Sequence, residues 1–318
     1  MEIKLVIPVI DISGYYTGDV EAKARIASAI ASAAQSPGFF QITGHRVSPD
    51  LISQLYKQLA AFFALPFDVK RSISTANSPV IRGYEAIGQQ ILEEGFVDSK
   101  EGFVFGREHP LEGARYLQGP NQWPEDSKVP GFKDVIMEYY KAVLNLSKIM
   151  FRLVALSLSL KEDYFDAFSG SEDSIAVMRA HRYPPTTPEL AAKSRGIGAH
   201  TDFGALTLLL QDSIGGLEVF HKPTETWHPV KPVEGAFVVN IGDMLERWTN
   251  NRYTSTKHRV ISPANDNYRY SVASFNQGLL DQMIECIPTC LEPGEKPLYE
   301  PVKVEEHLKA RYSSSFKY

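Results

Sequence analysis

The sequence predicts a mainly β molecule with flanking helices, its core a sandwich, barrel or jelly roll. Three observations carry the prediction. Short apolar stretches separated by turn residues crowd the second half of the 318-residue chain, segments with helical spacing fill much of the first, and no Pro/Gly/Ser-rich linker parts the two. The expectation is one compact unit over residues 1–318, with a mostly helical N-terminal region at 1–170 and a β core at 171–318.

In chain order, IPVIDI and GFFQIT are β-like pieces too short to build a sheet of their own, so they are expected to add strands to one. EAKARIASAIASAAQ, PDLISQLYKQLAAFFAL and KDVIMEYYKAVLNLSKIMFRLVALSLSL place apolar residues three and four apart, the period of a helix with one buried face. In the last of them Ile136, Tyr139, Tyr140, Val143, Leu146, Met150 and Leu153 trace a single stripe, which reads as core. From about residue 174 the texture changes to SIAVMRAHRY, ALTLLLQ, LEVF, WHPVKPV, AFVVNI, STKHRVI and RYSVASF, with turn signals such as Gly215-Gly216 and Pro223 between them. Strands this short and this closely spaced are those of a β sandwich or a closed roll.

Composition narrows the function. Hydrophobic residues make up 43% and charged residues 22%, ordinary globular usage, and no stretch approaches the roughly 18 apolar residues of a membrane span. With a net charge of −5 and Lys and Arg scattered singly, there is neither a basic stripe for nucleic acid nor a polybasic membrane anchor, which leaves a small molecule as the expected partner. Nothing in the residues sets an oligomeric state. The start, MEIKLVIPVIDIS, meets Pro8 and Asp11 after a few apolar positions, so neither a signal nor a transit peptide is expected and the reading is cytoplasmic. Cys286 and Cys290, in CIPTC, are expected to be reduced structural thiols.

The chemistry centres on IGAHTDFGALTLLLQD, residues 197–212. His200 and Asp202 stand just before an apolar run that reads as a buried strand, and burying two ionisable groups is costly unless a common partner, most simply a cation, satisfies both. Alone, the pair also reads as a strand end with a solvated aspartate. Of the other histidines, His109, His221, His228 and His307 sit in polar surroundings, whereas His258 lies inside the later strand STKHRVI. A closed roll would bring His258 to His200 and Asp202; two imidazoles and a carboxylate suit non-haem Fe(II), or a zinc hydrolase. Further on, Arg269 and Ser271 are two apart in a β segment, so they project to one face and could hold a carboxylate. The plainer reading, a surface arginine, fits poorly with the apolar SVASF that follows.

These residues carry a resemblance. GAHTDFGALTLLLQD, GGLEVF, WHPVKPVEGAFVVNIGDMLERWTNNRYTSTKHRV and RYSVASF, with IPVIDIS, GFFQITGH, RGY at 82–84, DSKEGF at 98–103 and GPNQWP at 119–124, make the chain similar to the Fe(II)/2-oxoglutarate-dependent dioxygenases of the isopenicillin N synthase-like superfamily. The resemblance spans nearly the whole chain and implies a distorted double-stranded β-helix (jelly-roll) core. It implies iron held by His200, Asp202 and His258, and the C5 carboxylate of 2-oxoglutarate held by Arg269 and Ser271, with Tyr183 of HRYPP helping. The chain departs from plant-type members at His181 and Arg182, where they carry Asn and Tyr, and at Arg46, where a turn glycine is usual.

The implied activity couples oxidative decarboxylation of 2-oxoglutarate, with O2, to hydroxylation, desaturation, cyclisation or demethylation of a small molecule. The substrate is expected to be amino-acid-like or an intermediate of secondary metabolism. Arg82, Lys100 and Arg107 lie in segments that border the pocket mouth in relatives, and Phe275 is a candidate wall. Two other readings remain open at this point. An oxidase like isopenicillin N synthase would need no 2-oxoglutarate, although its C-terminal iron-ligating glutamine has no counterpart after Gln282; a non-catalytic binding protein on the same fold would have no use for the three ligands.

Overall fold

The computed structural model describes residues 5–89, 93, 96–191, 194–262 and 265–315. β1 (Val9–Asp11) leads to α1 (Val20–Gln35), which begins where the Asp19 side chain accepts the Glu21 N–H, one of the amides a helix start leaves open. β2 (Phe39–Thr43) is followed by α2 (Pro49–Phe63), capped by Ser48, with Pro49 in the first turn where its missing N–H is not needed. Next come the short strands β3 (Gly83–Glu85) and β4 (Glu101–Gly106), then α3 (Phe132–Ser157), in which the stripe from Ile136 to Leu153 is buried as expected. The second half holds β5 (Ile175–Tyr183), β6 (Ile197–His200), β7 (Leu206–Gln211), β8 (Leu217–His221), β9 (Thr226–Pro229), β10 (Phe237–Ile241), β11 (His258–Val260) and β12 (Arg269–Gly278). A helix that the apolar periodicity did not reveal, α4 (Val304–Ser315), follows them.

The strands form an eight-stranded sheet in the order β1-β2-β10-β7-β12-β5-β4-β3 and a four-stranded sheet in the order β9-β8-β11-β6. Apart from the pairs β1–β2, β3–β4 and β8–β9, neighbours within each sheet come from separate parts of the chain, as a jelly roll requires. β1 and β2 build one edge of the larger sheet and β4 and β3 the other, so the region expected to be mostly helical also frames the β core on both sides. The larger apolar core lies between that sheet and the three long helices; Phe62, Phe103 and Phe132 meet there with ring centroids 4.9–5.3 Å apart. A smaller core of Ile7, Phe39, Tyr183, Leu217, Val219 and Val260 joins the two sheets. Both cysteines are free thiols, and no helix among the described residues is long and apolar enough to cross a membrane.

Two backbone positions show what the loops demand. Arg46 takes a left-handed φ of 63°, a conformation that glycine adopts without strain, and its guanidinium lies 4.1 Å from the Tyr16 ring centroid, a contact that offsets part of the strain. Gly242, after β10, is a matter of space: a Cβ there would stand 2.2 Å from the Gly204 carbonyl oxygen and 3.0 Å from that of Asp202. The Gly242 N–H donates to Ala205 O and the Asp243 N–H to Asp202 O, so this turn pins the backbone of Asp202 from behind.

Candidate active site

His200 ends β6 and His258 begins β11, and the two strands pair antiparallel with His258 directly opposite His200. Directly opposed residues share a face, which is why two histidines remote in sequence have ring centroids 4.3 Å apart. The Nδ1 of His200 lies 2.8 Å from Gly198 O and the Nδ1 of His258 lies 3.1 Å from Thr256 O. A carbonyl only accepts, so each Nδ1 carries the hydrogen and each Nε2 lone pair is turned to the same point.

Asp202 lies two residues beyond His200. Its Oδ1 is 3.6 Å from His200 Nε2 and 3.7 Å from His258 Nε2, too far for hydrogen bonds but suited to bracketing a cation bound at about 2.0–2.2 Å. Its Oδ2 accepts from Thr207 Oγ1 at 2.6 Å and from Asn240 Nδ2 at 2.7 Å, which leaves Oδ1 to face the imidazoles. Burial alone would raise the carboxyl pKa, but His258, His200 and Asn240 hold it far below the ordinary range. Burial and the neighbouring His200 push His258 down to about 4, whereas Asp202, against the effect of burial, raises His200. A divalent ion held by all three needs the carboxylate anionic and both imidazoles neutral, so binding would displace any proton from His200 Nε2.

The second half of the site is on β12. Arg269, Ser271, Ala273, Phe275 and Gln277 alternate into one cavity that also holds the three-residue cluster and encloses about 970 Å³ out to its open mouth. Arg269, 1% exposed, donates from Nη1 to Ser271 Oγ at 3.4 Å and from Nη2 to Gln211 Oε1 at 3.2 Å, and its Cζ lies 4.6 Å from the Tyr183 ring centroid. The Tyr183 hydroxyl is 3.5 Å from Ser271 Oγ. No carboxylate pairs with Arg269 among the described residues, and its Nε has no partner there. A guanidinium buried in this way is built to receive an anion.

Of the positions singled out as substrate contacts, Lys100 and Phe275 line the cavity. Arg82 and Arg107 are not among its lining residues; Arg82, 2% exposed, donates to Val80 O and Leu117 O and ties a loop to its neighbour. At the departure in HRYPP the two side chains part: His181 faces the cavity, while Arg182 points away and pairs with Glu101. Sequence reasoning overlooked Thr207, Asn240, Gln211, Arg179 and Tyr312. For Asn240 and Thr207 a signal was present, since each is a lone polar residue inside an apolar strand and must be buried with a partner.

Known proteins resemble this chain along its length. The family described as the 2OG-Fe(II) oxygenase superfamily matches residues 174–278, and that described as the non-haem dioxygenase in morphine synthesis N-terminal matches residues 7–126. The 2-oxoglutarate-Fe(II) type oxidoreductase hxnY of Emericella nidulans is 40% identical, over 97% of this chain and 90% of its own. The 2-oxoglutarate-dependent dioxygenase citB of Monascus ruber is 38% identical, over 98% of this chain and 95% of its own. Among solved structures, a full-length Neurospora crassa protein in complex with α-KG and thymine matches with a TM-score of 0.88 at 30% identity, covering 99% of both chains. A 2OG-Fe(II) oxygenase family protein from Caulobacter crescentus matches with a TM-score of 0.85 at 30% identity, over 97% of this chain and 99% of that one.

Proposed function

The chain belongs to the 2OG-Fe(II) oxygenase superfamily, and from that premise we propose that His200, Asp202 and His258 are its iron ligands and that Arg269, Ser271 and Tyr183 hold 2-oxoglutarate. The enzyme is a non-haem, 2-oxoglutarate-dependent dioxygenase acting with Fe(II) and O2, of the three readings the one its relatives' names bear out. One observation supports the residue roles above all. A single cavity contains both a cluster with the donor set of a facial iron site and a buried guanidinium with no acid beside it.

When bound, Fe(II) with 2-oxoglutarate and O2 supplies the oxidant, while the 2-oxo acid leaves as succinate and CO2. The protein contributes positions. Gly198 and Thr256 carbonyls hold the tautomer of each histidine, Thr207 and Asn240 fix the rotation of the Asp202 carboxylate, and the Tyr183 ring and Gln211 keep the Arg269 fork flat against the wall. Phe39, Leu209, Leu217 and Val260 exclude water around these groups. The substrate is a small molecule, amino-acid-like or an intermediate of secondary metabolism.

The direct test is a succinate and O2-consumption assay on Fe(II)-loaded protein. We expect succinate and CO2 in equal amounts from 2-oxoglutarate, slowly without substrate and faster with it. Full activity in a preparation shown by mass spectrometry to contain no 2-oxo acid would return the oxidase reading. A finer test concerns the carboxylate's support. Asn240→Ala removes one of the two donors to Asp202 Oδ2, and loss of such an outer partner lowers metal affinity by about 10–100-fold. Iron titration of the variant should show a fall in that range with the far-ultraviolet circular dichroism unchanged.

A further inference from the structure

The oxygenase assignment accounts for Arg269, yet the cavity wall carries two more cations. Lys100 and Arg179 both line it, and Asp202 is the one acidic residue that does so among the described residues. On β5, Arg179, His181 and Tyr183 alternate inward, opposite Ala273, Ser271 and Arg269 of β12. Arg179 and Tyr183 are four positions apart on the strand, about 13 Å along the sheet, so Arg179 lies away from the 2-oxoglutarate clamp, with His181 between them opposite Ser271.

Its construction is specific. Glu85 of β3 and His181 of β5 both lie beside Gly102 of β4, where a Cβ would come within 2.9 Å of Glu85 Oε2 and 3.4 Å of His181 Cδ2. The missing side chain leaves room for Glu85 of β3 and His181 of β5 on either side of β4. Glu85 Oε1 accepts from Arg179 Nη1 at 3.3 Å; burial lowers the Lys100 pKa, and Glu85 and Asp98 oppose that shift in part. Both cations are among this cavity's lining residues and neither acid is, so the cations stand between the acids and the cavity. His181, 4% exposed and lining the same wall, has an Nε2 with no hydrogen-bond partner among the described residues. A buried polar atom of this kind calls for a ligand. Phe203, Phe275 and Tyr312 complete the lining with aromatic surface.

We propose that the substrate is a small carboxylic acid whose carboxylate is bound by Lys100 and Arg179 beside His181, with its apolar body against Phe203, Phe275 and Tyr312. The inference rests on the oxygenase reading, which assigns the other cation, Arg269, to 2-oxoglutarate. A guanidinium and an ammonium bind a carboxylate through charge-assisted hydrogen bonds and reject the matching carboxamide, which carries no charge.

The test uses Fe(II)- and 2-oxoglutarate-loaded enzyme without O2 and matched pairs of probes: benzoate and benzamide, phenylacetate and phenylacetamide, cyclohexanecarboxylate and its amide. Binding is measured by calorimetry, and stimulation of succinate release by the same compounds is then measured in air. For at least one pair the acid should bind at least tenfold more tightly than the amide. Lys100→Met should erase that preference. Because removing Arg179 alone would strand Glu85, the second variant is Arg179→Met with Glu85→Gln, and it too should erase the preference while leaving amide binding unchanged; Arg179→Lys should keep part of it. Equal binding of acids and amides across the panel, or a preference that survives both variants, overturns the inference while 2-oxoglutarate consumption shows the oxygenase reading intact. If the wild-type enzyme consumes no 2-oxoglutarate under any condition, the reading beneath the inference falls with it.

Discussion

His200→Ala, Asp202→Ala and His258→Ala should each abolish turnover and strip iron from the protein. Three protein ligands are the minimum of this site, and the ligand atoms are already spread over 3.6–3.7 Å, so the two that remain hold Fe(II) too weakly to survive dialysis. The loss of activity should exceed about 100-fold, the upper end of what removing an outer partner costs. Asp202→Glu is the sharper variant. It retains the charge but moves the carboxylate by one methylene, which breaks the bonds from Thr207 and Asn240 and displaces the oxygen by more than the roughly 0.5 Å such a site tolerates. Metal analysis after dialysis, beside the succinate assay, checks all four variants; full iron retention in the three alanine variants would remove the ligand assignment.

The second large effect is at Arg269. Arg269→Lys should raise the KM for 2-oxoglutarate at least tenfold with a smaller change in kcat, because an ammonium cannot reproduce a planar two-donor fork and loses the face of the Tyr183 ring. Ser271→Ala removes one hydrogen bond to a charged group, about 1.5–3 kcal/mol, and should cost less. Initial-rate kinetics with 2-oxoglutarate varied at saturating Fe(II) separates the two parameters. An unchanged KM for 2-oxoglutarate together with a raised KM for the substrate would move Arg269 to the substrate side.

How much of this was legible depended on whether the information was local. The alternation of RYSVASF already put Arg269 and Ser271 on one face, and the structure has them side by side in the cavity. HTD and the later histidine could be found as residues, but only the antiparallel register of β6 and β11 makes them neighbours. The cationic wall was harder still, since Glu85, Lys100 and Arg179 come from three separate segments, and Glu85 approaches His181 across a glycine whose role is to have no side chain. Arg82 read as a candidate substrate contact because nothing in RGY announces the two backbone carbonyls, of Val80 and Leu117, that take its guanidinium. The helix VEEHLKARYSSS was missed for the opposite reason: its apolar residues are too few to trace a stripe, and it is held by the buried Val304 and Leu308 together with pairs such as Arg311 with Asp243 and Arg115 with Glu305.

The direct opposition of His200 and His258 also bears on how the protein is made and lost. Each imidazole is carried by a different strand of the smaller sheet, so a half-folded chain offers the metal at most His200 and Asp202, and the cation binds the closed native state, with all three ligands, in preference to the others. By mass action, free metal at about 100 times its dissociation constant adds about 2.7 kcal/mol to the unfolding free energy. Iron supply thus becomes a term in the protein's lifetime: chains that find the metal resist opening of the small sheet, while iron-starved chains open it more often and present β6 and β11 to proteases.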